Sequence, residues 1–542
     1  MLLSVQAICE DGCRFIDVAF KVAEFCSKEW CLSTQKIAKG FASSGALAGV
    51  NFAVSLISLR MLLYFLPDKV AGLWMLYLSI AGYFIIFDLG ISPTLGREIS
   101  FVLGSRNCDP EEAARRMAQL IHSSMVLFIG LGAVMLIAAC VLGIPYLRIV
   151  APHGIWSSVV ISWVILIGGG ALNLIGEVWL AGLYGAGEIV FERLSRAIGQ
   201  LIWLLLSYIA LEFRTGIVGL ACAWMLQGIT IRIYARHKLR HKFPTDWSKI
   251  AFDREIVRQI VIPSIKYALM LIGGIVAVQT DSLVIAYVFG TAPIPAYQAA
   301  AKLITAMMTL SMMLVVTSSP FLSRAHAEGD LAKVHSLLSH NLRVSLAAMI
   351  TLSAFFLVFA DRIIVAWLGP GHFIGFPVVI ALTVVMILET HHMSWSSAVV
   401  ATGALPFVAT SLLAGGFNIV WSLVLAHEFG IVGVALGTFA AQASTNNWYI
   451  PFYGMRLFGI SLSRHVGGVI LPVLKLAAVT SMASVVIRIL TRSSPPLLSV
   501  VLGMFAVGCV GLLGGGHWVL NQSERAAVFG PIRERLFARS AR

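Results

Sequence analysis

The chain has little charge. Only 12% of its 542 residues are Asp, Glu, Lys or Arg, while 58% are apolar and the mean hydropathy is +0.89. Soluble domains carry about a quarter charged residues, so this composition excludes a soluble fold. Catalytic motifs are also lacking: there is no Gly-rich phosphate loop, no Walker lysine and no nucleophile elbow. No polar segment is long enough to house a separate active site, and nothing implies a cofactor or an enzyme. A cleavable signal peptide is not visible, because Glu10, Asp11 and Arg14 interrupt the start. The eight cysteines include Cys9, Cys13, Cys26 and Cys31, whose spacing fits neither a zinc knuckle nor a disulfide framework.

What is present is a series of apolar runs of about 20 residues, the length that crosses a bilayer as a helix. They fall near 41–66, 71–95, 117–142, 155–184, 196–212, 216–234, 263–289, 293–318, 343–360, 374–401, 406–426, 431–450, 467–490 and 496–520. The expected fold is an all-α polytopic membrane protein of about 14 spanning helices.

The net charge of +13 does not point to nucleic acid, because the basic residues lie in loops between the runs. With residues at the run ends counted to the connections, alternate connections hold 30 of the 39 Lys and Arg on one side and 6 on the other; Arg60, Lys302 and Lys475 fall deeper within runs. The positive-inside rule then predicts both termini in the cytoplasm, with anionic lipid headgroups as partners of the basic loops.

Residues 1–40 read as a weakly amphipathic cytoplasmic leader. Residues 235–262 form the core of a basic linker dividing two sets of six helices, over 41–234 and 263–450. The two sets echo each other. Pro93-Thr-Leu95-Gly-Arg97 ends the second run, and Pro320-Phe-Leu322-Ser-Arg324 ends the eighth. After each a short polar helix is expected, Asp109-Pro-Glu-Glu112 with Asp109 as N-cap and Pro110 at N1, against Glu328-Gly-Asp330. A Gly-Ile-Val-Gly motif opens both the sixth run (to Gly219) and the twelfth (to Gly433). Two parallel six-helix lobes around a central cavity is a transporter plan. A further helix pair (451–520) and a basic cytoplasmic tail (521–542) follow the repeat.

Gln279–Lys302 reads as a hairpin around a Gly-Thr-Ala-Pro turn, with Asp281 and Lys302 each roughly 12–14 Å below it by helical rise. A charge in hydrocarbon costs about 2.5–3.5 kcal/mol on insertion scales. The two are either a structural ion pair or a wetted pair in a cavity, with Lys302 meeting an anionic substrate and Asp281 free for a cation. Arg60, at a similar level in the first run, either snorkels to headgroups or forks onto phosphate oxygens. Asp88, Glu177 and Glu389 lie toward the inner halves of their helices, where a carboxylate suits ion coupling. Glu389 is the best placed of the three, with His391 and His392 after it. Adjacent histidines point apart on a helix, so no metal site is expected there, and Lys475 is expected to snorkel.

Several motifs resemble the multidrug/oligosaccharidyl-lipid/polysaccharide exporter superfamily, in particular its polysaccharide-biosynthesis, O-antigen flippase-like branch. They are Gly72-Leu-Trp…Tyr83-Phe…Phe87-Asp88-Leu-Gly90…Arg97, Gln279-Thr-Asp281…Phe289-Gly290…Tyr297-Gln-Ala…Lys302, Leu368-Gly369…Phe373 and the two Gly-Ile-Val-Gly motifs. The likeness covers roughly 41–450. It implies a flippase in the bacterial cytoplasmic (inner) membrane that moves a polyprenyl-pyrophosphate-linked glycan outward by alternating access. A proton or Na+ gradient would drive it, with polysaccharide polymerase or export proteins as partners. Arg60 and Lys302 would bind substrate; Asp281, Asp88, Glu389 and Glu177 would serve ion coupling. A multidrug or organic-cation antiporter of the same superfamily is the alternative. A glycan polymerase or ligase, a third class, would carry a large outer loop, and this chain has none.

Overall fold

The computed structural model describes residues 28–104, 109–520 and 524–525. Among them the regular structure is entirely helical. In the first half the helices are α1 Lys28–Phe65, α2 Asp68–Gly82, α3 Ile91–Gly104, α4 Pro110–Ala138, α5 Ile144–Val150, α6 Trp156–Gly185, α7 Ile189–Glu212 and α8 Gly216–Lys242. In the second they are α9 Arg254–Phe289, α10 Ile294–Ala327, α11 Leu331–Leu368, α12 Phe376–Ala401, α13 Val408–Phe429, α14 Ile431–Ser444 and α15 Asn446–Phe458. The chain closes with α16 Leu462–His465, α17 Leu471–Leu490 and α18 Pro496–Gly514.

Twelve helical segments among the described residues are long and apolar enough to cross a membrane, against the fourteen runs expected. The other two runs are helical as well. One is α9; the other is divided into α14 and α15 at Thr445, whose backbone leaves the helical region.

Helix ends depart from the hydropathy boundaries for identifiable reasons. The second run does not continue as one helix. A 3₁₀ segment, Tyr83–Asp88, follows α2, and Leu89 (φ 50°) and Gly90 (φ 70°) then take left-handed backbone. Asp88 restarts the chain by accepting the backbone N–H of Ser92 at 3.4 Å, and it bonds the Ser92 hydroxyl as well. The short polar segments after Asp109 and Asp330 are not separate helices but the first turns of α4 and α11. Asp330 caps α11 by accepting the N–H of Lys333 at 2.9 Å. The first residues of the linker extend α8 to Lys242, and α9 begins at Arg254, capped by Asp253. Of the expected leader, 28–40 belong to α1, whereas 1–27 lie outside the described residues; so does the tail, except Glu524 and Arg525.

The halves share one packing pattern. In the first, α1 packs on α7, α7 on α8, α8 on α6, α6 on α4 and α3, and α3 on α4. In the second, α9 packs on α13, α13 on α14, α14 on α12, α12 on α11 and α10, and α10 on α11. The pair α17 and α18 lies on α11. Arg362 fixes it there through the Ser499 hydroxyl and the carbonyl of Thr491, and Arg488 pairs with Asp361 at 2.7 Å.

Apolar burial distinguishes the two ends of the molecule. At the charge-poor end, one core draws on both halves: Leu59, Leu62, Leu73, Trp74 and Trp163 pack with Ile285, Ile294, Tyr297, Phe356, Ile364 and Val434. At the basic end the cores are separate. One holds Ile99, Met117, Leu183 and Leu239 of the first half, joined by Ile256 and Ile260 at the start of α9. The other holds Leu322, Val334, Trp395, Phe407, Ile450 and Phe458 of the second.

Candidate functional site

Hydrogen bonds between the halves follow the same asymmetry. Near the charge-poor end, Arg60 Nη1 donates to the carbonyl of Trp367 at 2.5 Å, and the Trp367 indole N–H donates to the carbonyl of Leu56 at 3.3 Å. Thr291 Oγ1 donates to the Lys69 carbonyl at 2.7 Å, and His372 faces Asp68 at 3.4 Å. Deeper in, the Tyr83 and Thr280 hydroxyls are 2.9 Å apart, and the Tyr146 hydroxyl donates to the Leu283 carbonyl at 2.7 Å. At the basic end, the cross-half bonds among the described residues reach only the start of α9: Ser264 to Thr94 at 2.8 Å and the Asp253 N–H to Ser123 at 3.1 Å.

Asp281 lies at the centre of the second half. The hairpin holding it forms as expected: α9 ends at Phe289, Gly290 turns with φ 77°, and α10 begins at Ile294. Its carboxylate accepts the Tyr297 hydroxyl at 2.6 Å from α10 and the Thr438 hydroxyl at 3.0 Å from α14. Thr438 in turn accepts the amide N–H of Asn418 on α13 at 2.8 Å. Asn418 is fully buried, and its Oδ1 has no partner. Four helices thus converge a carboxylate, two hydroxyls and a spare amide oxygen on one point. Oxygen-only donor sets suit hard cations, and a carboxylate with hydroxyl neighbours equally holds a proton.

The structure does not join Asp281 to Lys302, so the ion pair considered for them does not form. Lys302 is half-buried and among the described residues has no hydrogen-bond or ion-pair partner. It shares one face of α10 with Gln298, Thr305 and Thr309, at spacings of three and four residues. The two threonines are exposed, and Gln298 bonds Ser282 at 2.8 Å. Thr309 donates back to the Thr305 carbonyl at 2.9 Å, whereas the Lys302 ammonium needs water or protein beside it, because lipid offers it no acceptor.

The remaining candidates separate. Arg60 is tied to the Trp367 backbone, away from Asp281's partners. Asp88 serves the α3 start. Glu177, on α6, sits between two arginines: Arg196 of α7 at 2.5 Å and Arg232 of α8 at 2.9 Å. Arg196 also binds Glu192, and Arg232 donates to the Asn173 carbonyl at 2.6 Å. Glu389 contacts His392 at 3.1 Å and keeps a buried oxygen without a partner. His391 turns the other way, to His465 at 3.0 Å. Lys475 is exposed on α17. Among the described residues no His, Cys, Asp or Glu cluster could hold a metal ion.

Sequence reasoning missed Thr438 and Asn418, single polar residues on otherwise apolar helices, and gave no role to the Tyr297 hydroxyl. It also missed Arg196 and Arg232, which the charge count assigned to loops.

No protein-family model and no curated relative matches the chain. Solved structures do. An inward-facing multidrug resistance MATE family transporter of the MOP superfamily superposes with TM-score 0.64 at 16% identity, covering 76% of this chain and 98% of that one. The chain shares the fold of that transporter. The lipid II flippase MurJ, in an inward closed conformation, aligns with TM-score 0.61 at 13% identity over 86% of this chain and 99% of its own. A MOP-superfamily transporter from Pyrococcus furiosus, described by the reversed polarity of its binding pocket, gives 0.54 at 15% identity, over 79% and 96%. All three are transporters or flippases rather than enzymes.

Proposed function

We propose that this protein is an ion-coupled flippase for a polyprenyl-pyrophosphate-linked oligosaccharide, moved from the inner to the outer leaflet for cell-surface polysaccharide synthesis. Residues 41–234 and 263–450 act as two lobes. All fourteen runs span a bacterial inner membrane, with the basic end and both termini in the cytoplasm.

The observation that carries this reading is the asymmetry of the cores. A shared apolar core seals the lobes at the charge-poor end, and separate cores leave them apart at the basic end. That arrangement suits a carrier poised to load from the cytoplasm. Lys302, without a protein partner on a polar face of α10, offers its ammonium to a pyrophosphate. Asp281, with Tyr297, Thr438 and Asn418, takes the driving H+ or Na+. Rocking of the lobes then breaks the Arg60–Trp367 contact and opens the outer face.

A second reading, a multidrug or organic-cation antiporter, draws on the likeness to the MATE structure; an unneutralised lysine in the crevice disfavours cationic cargo. Reconstitution of the purified protein in vesicles separates the two. Ion-gradient-dependent transfer of a labelled pyrophosphate-linked glycolipid, lost in Lys302→Ala, is the expected result. Organic-cation efflux without glycolipid transfer would establish the antiporter instead.

A further inference from the structure

A cavity of about 360 Å³ opens at the basic end, outside the Asp281 site. It lies between the first turns of α11, Trp395 of α12 and the turn from α16 into α17. Its volume is at the low end of the roughly 300–1,000 Å³ typical of small-ligand sites. Arg343, Arg464, His335 and His465 line it with Ser336 and Ser339, and among the described residues no carboxylate does. One wall is a π-helical turn, Val466–Ile470, a local widening frequent at functional sites.

The hydrogen bonds leave this lining with donors to spare. Arg343 is committed: it pairs with Glu524 at 3.0 Å and donates to the Ser339 carbonyl at 3.2 Å. Arg464 is exposed, and among the described residues its guanidinium has no partner. His335 gives its Nε2 proton to the Phe458 carbonyl at 2.5 Å. His391 Nε2 already accepts the Trp395 indole N–H at 3.2 Å, so in the 3.0 Å contact His465 Nε2 is the donor. Both lining histidines therefore spend their Nε2 proton on the protein. The Ser336 and Ser339 hydroxyls have no partners among the described residues.

We propose that this cavity binds a phosphate oxyanion. Arg464 provides the charge, and Ser336 and Ser339 the hydroxyl donors. A guanidinium beside hydroxyls on a helix turn matches the planar faces and spare lone pairs of phosphate. The cavity lies where either an anionic phospholipid headgroup or a soluble phosphate ester can reach it. An occupant bridges α11 to the α16–α17 turn, tying the second half to the C-terminal pair.

The test uses the full-length protein in phosphatidylcholine nanodiscs. One arm titrates inorganic phosphate calorimetrically; the other counts phosphatidylglycerol molecules retained on protein released from mixed nanodiscs, by native mass spectrometry. Saturable phosphate binding identifies a soluble ester as the natural class, and selective phosphatidylglycerol retention without it identifies a headgroup. In the positive arm, Arg464→Ala and Ser336→Asp each weaken binding by about tenfold or more, the equivalent of one charge-assisted hydrogen bond. Lys333→Ala, exposed on the same helix but outside the cavity, leaves it unchanged. Binding in neither arm, or equal binding by wild type, Arg464→Ala and Ser336→Asp, overturns the proposal.

Discussion

Arg60 and Trp367 stand 307 residues apart in the chain and exchange contacts through each other's helices. The guanidinium of one reads the carbonyl of the other, whose indole returns a hydrogen bond one turn below Arg60, to Leu56. Both acceptors are backbone atoms, so the pairing records the position of α1 against the end of α11 rather than the identity of a side chain. It closes the charge-poor end just where the shared core lies.

Arg60→Ala removes one arm of that closure. The expected result is a larger outward-open population and glycolipid transfer reduced several-fold, with the protein still folded. Spin labels at Tyr64→Cys and Phe376→Cys, both exposed positions near the charge-poor end, read the change as a longer distance component. Arg60→Lys restores little, because an ammonium on a shorter, freely rotating stem does not hold the planar geometry. Unchanged distances in Arg60→Ala would remove the residue from the gate.

Asp281→Asn keeps hydrogen-bonding capacity and removes the charge. Transfer should then proceed at the same rate with and without an imposed gradient, whereas wild type accelerates with one. Asn418→Ala distinguishes the ion. The amide oxygen is a ligand for Na+ but not needed for a proton, so the variant raises the Na+ concentration for half-maximal transfer several-fold only if Na+ is the driver. Transfer by Asp281→Asn that keeps full gradient dependence would move the coupling site elsewhere.

How far such a site can be read from sequence is seen in Asp281 and Glu177. Both are acids in apolar runs, Asp281 below the hairpin turn and Glu177 toward the inner half of its helix. Asp281 was legible as the focus of the second half, because the hairpin around it follows from turn chemistry at Gly290 and from span length. Its partners Thr438 and Asn418 lie far along the chain on helices whose rotation about their axes only packing decides. Glu177 looked like a coupling acid because Arg196 and Arg232 were counted as loop cations. They stand at the inner ends of the fifth and sixth runs, and α7 and α8 carry both guanidiniums onto it. The all-helical, polytopic class was readable since it depends on composition. The breaks at Leu89 and Thr445 were not, as they depend on backbone dihedrals that an apolar run conceals.

Glu177→Gln accordingly tests stability rather than coupling. The substitution leaves Arg196 and Arg232 facing a neutral amide, and each lost charged hydrogen bond is worth about 1.5–3 kcal/mol. The thermal midpoint in detergent should fall by several degrees. Transfer per folded molecule should keep its gradient dependence. An unchanged midpoint with lost gradient response would return Glu177 to the list of coupling acids.

Gly72 offers a way to separate gating from folding. A Cβ built on it falls 1.8 Å from the carbonyl oxygen of Thr291 and 3.3 Å from Pro295 Cδ. The helix α2 therefore meets the α9–α10 turn by backbone contact across the two halves. A methyl group there needs about 3.5 Å or more from its neighbours, and neither a helix nor a capped turn yields by side-chain rotation. The strain is relieved by parting the halves at the charge-poor end, which in the proposed cycle is the motion that opens the outer face. Gly72→Ala should thus lengthen the Tyr64–Phe376 label distance and slow transfer while leaving the thermal midpoint near wild type. Gly437→Ala is the matched control: its Cβ falls 2.4 Å from the backbone of Ser422 within the second half, where no hinge can absorb it. That variant should lower the midpoint and the yield instead. If both variants behaved alike, the contact at Gly72 would be ordinary packing and the two halves would not move apart there.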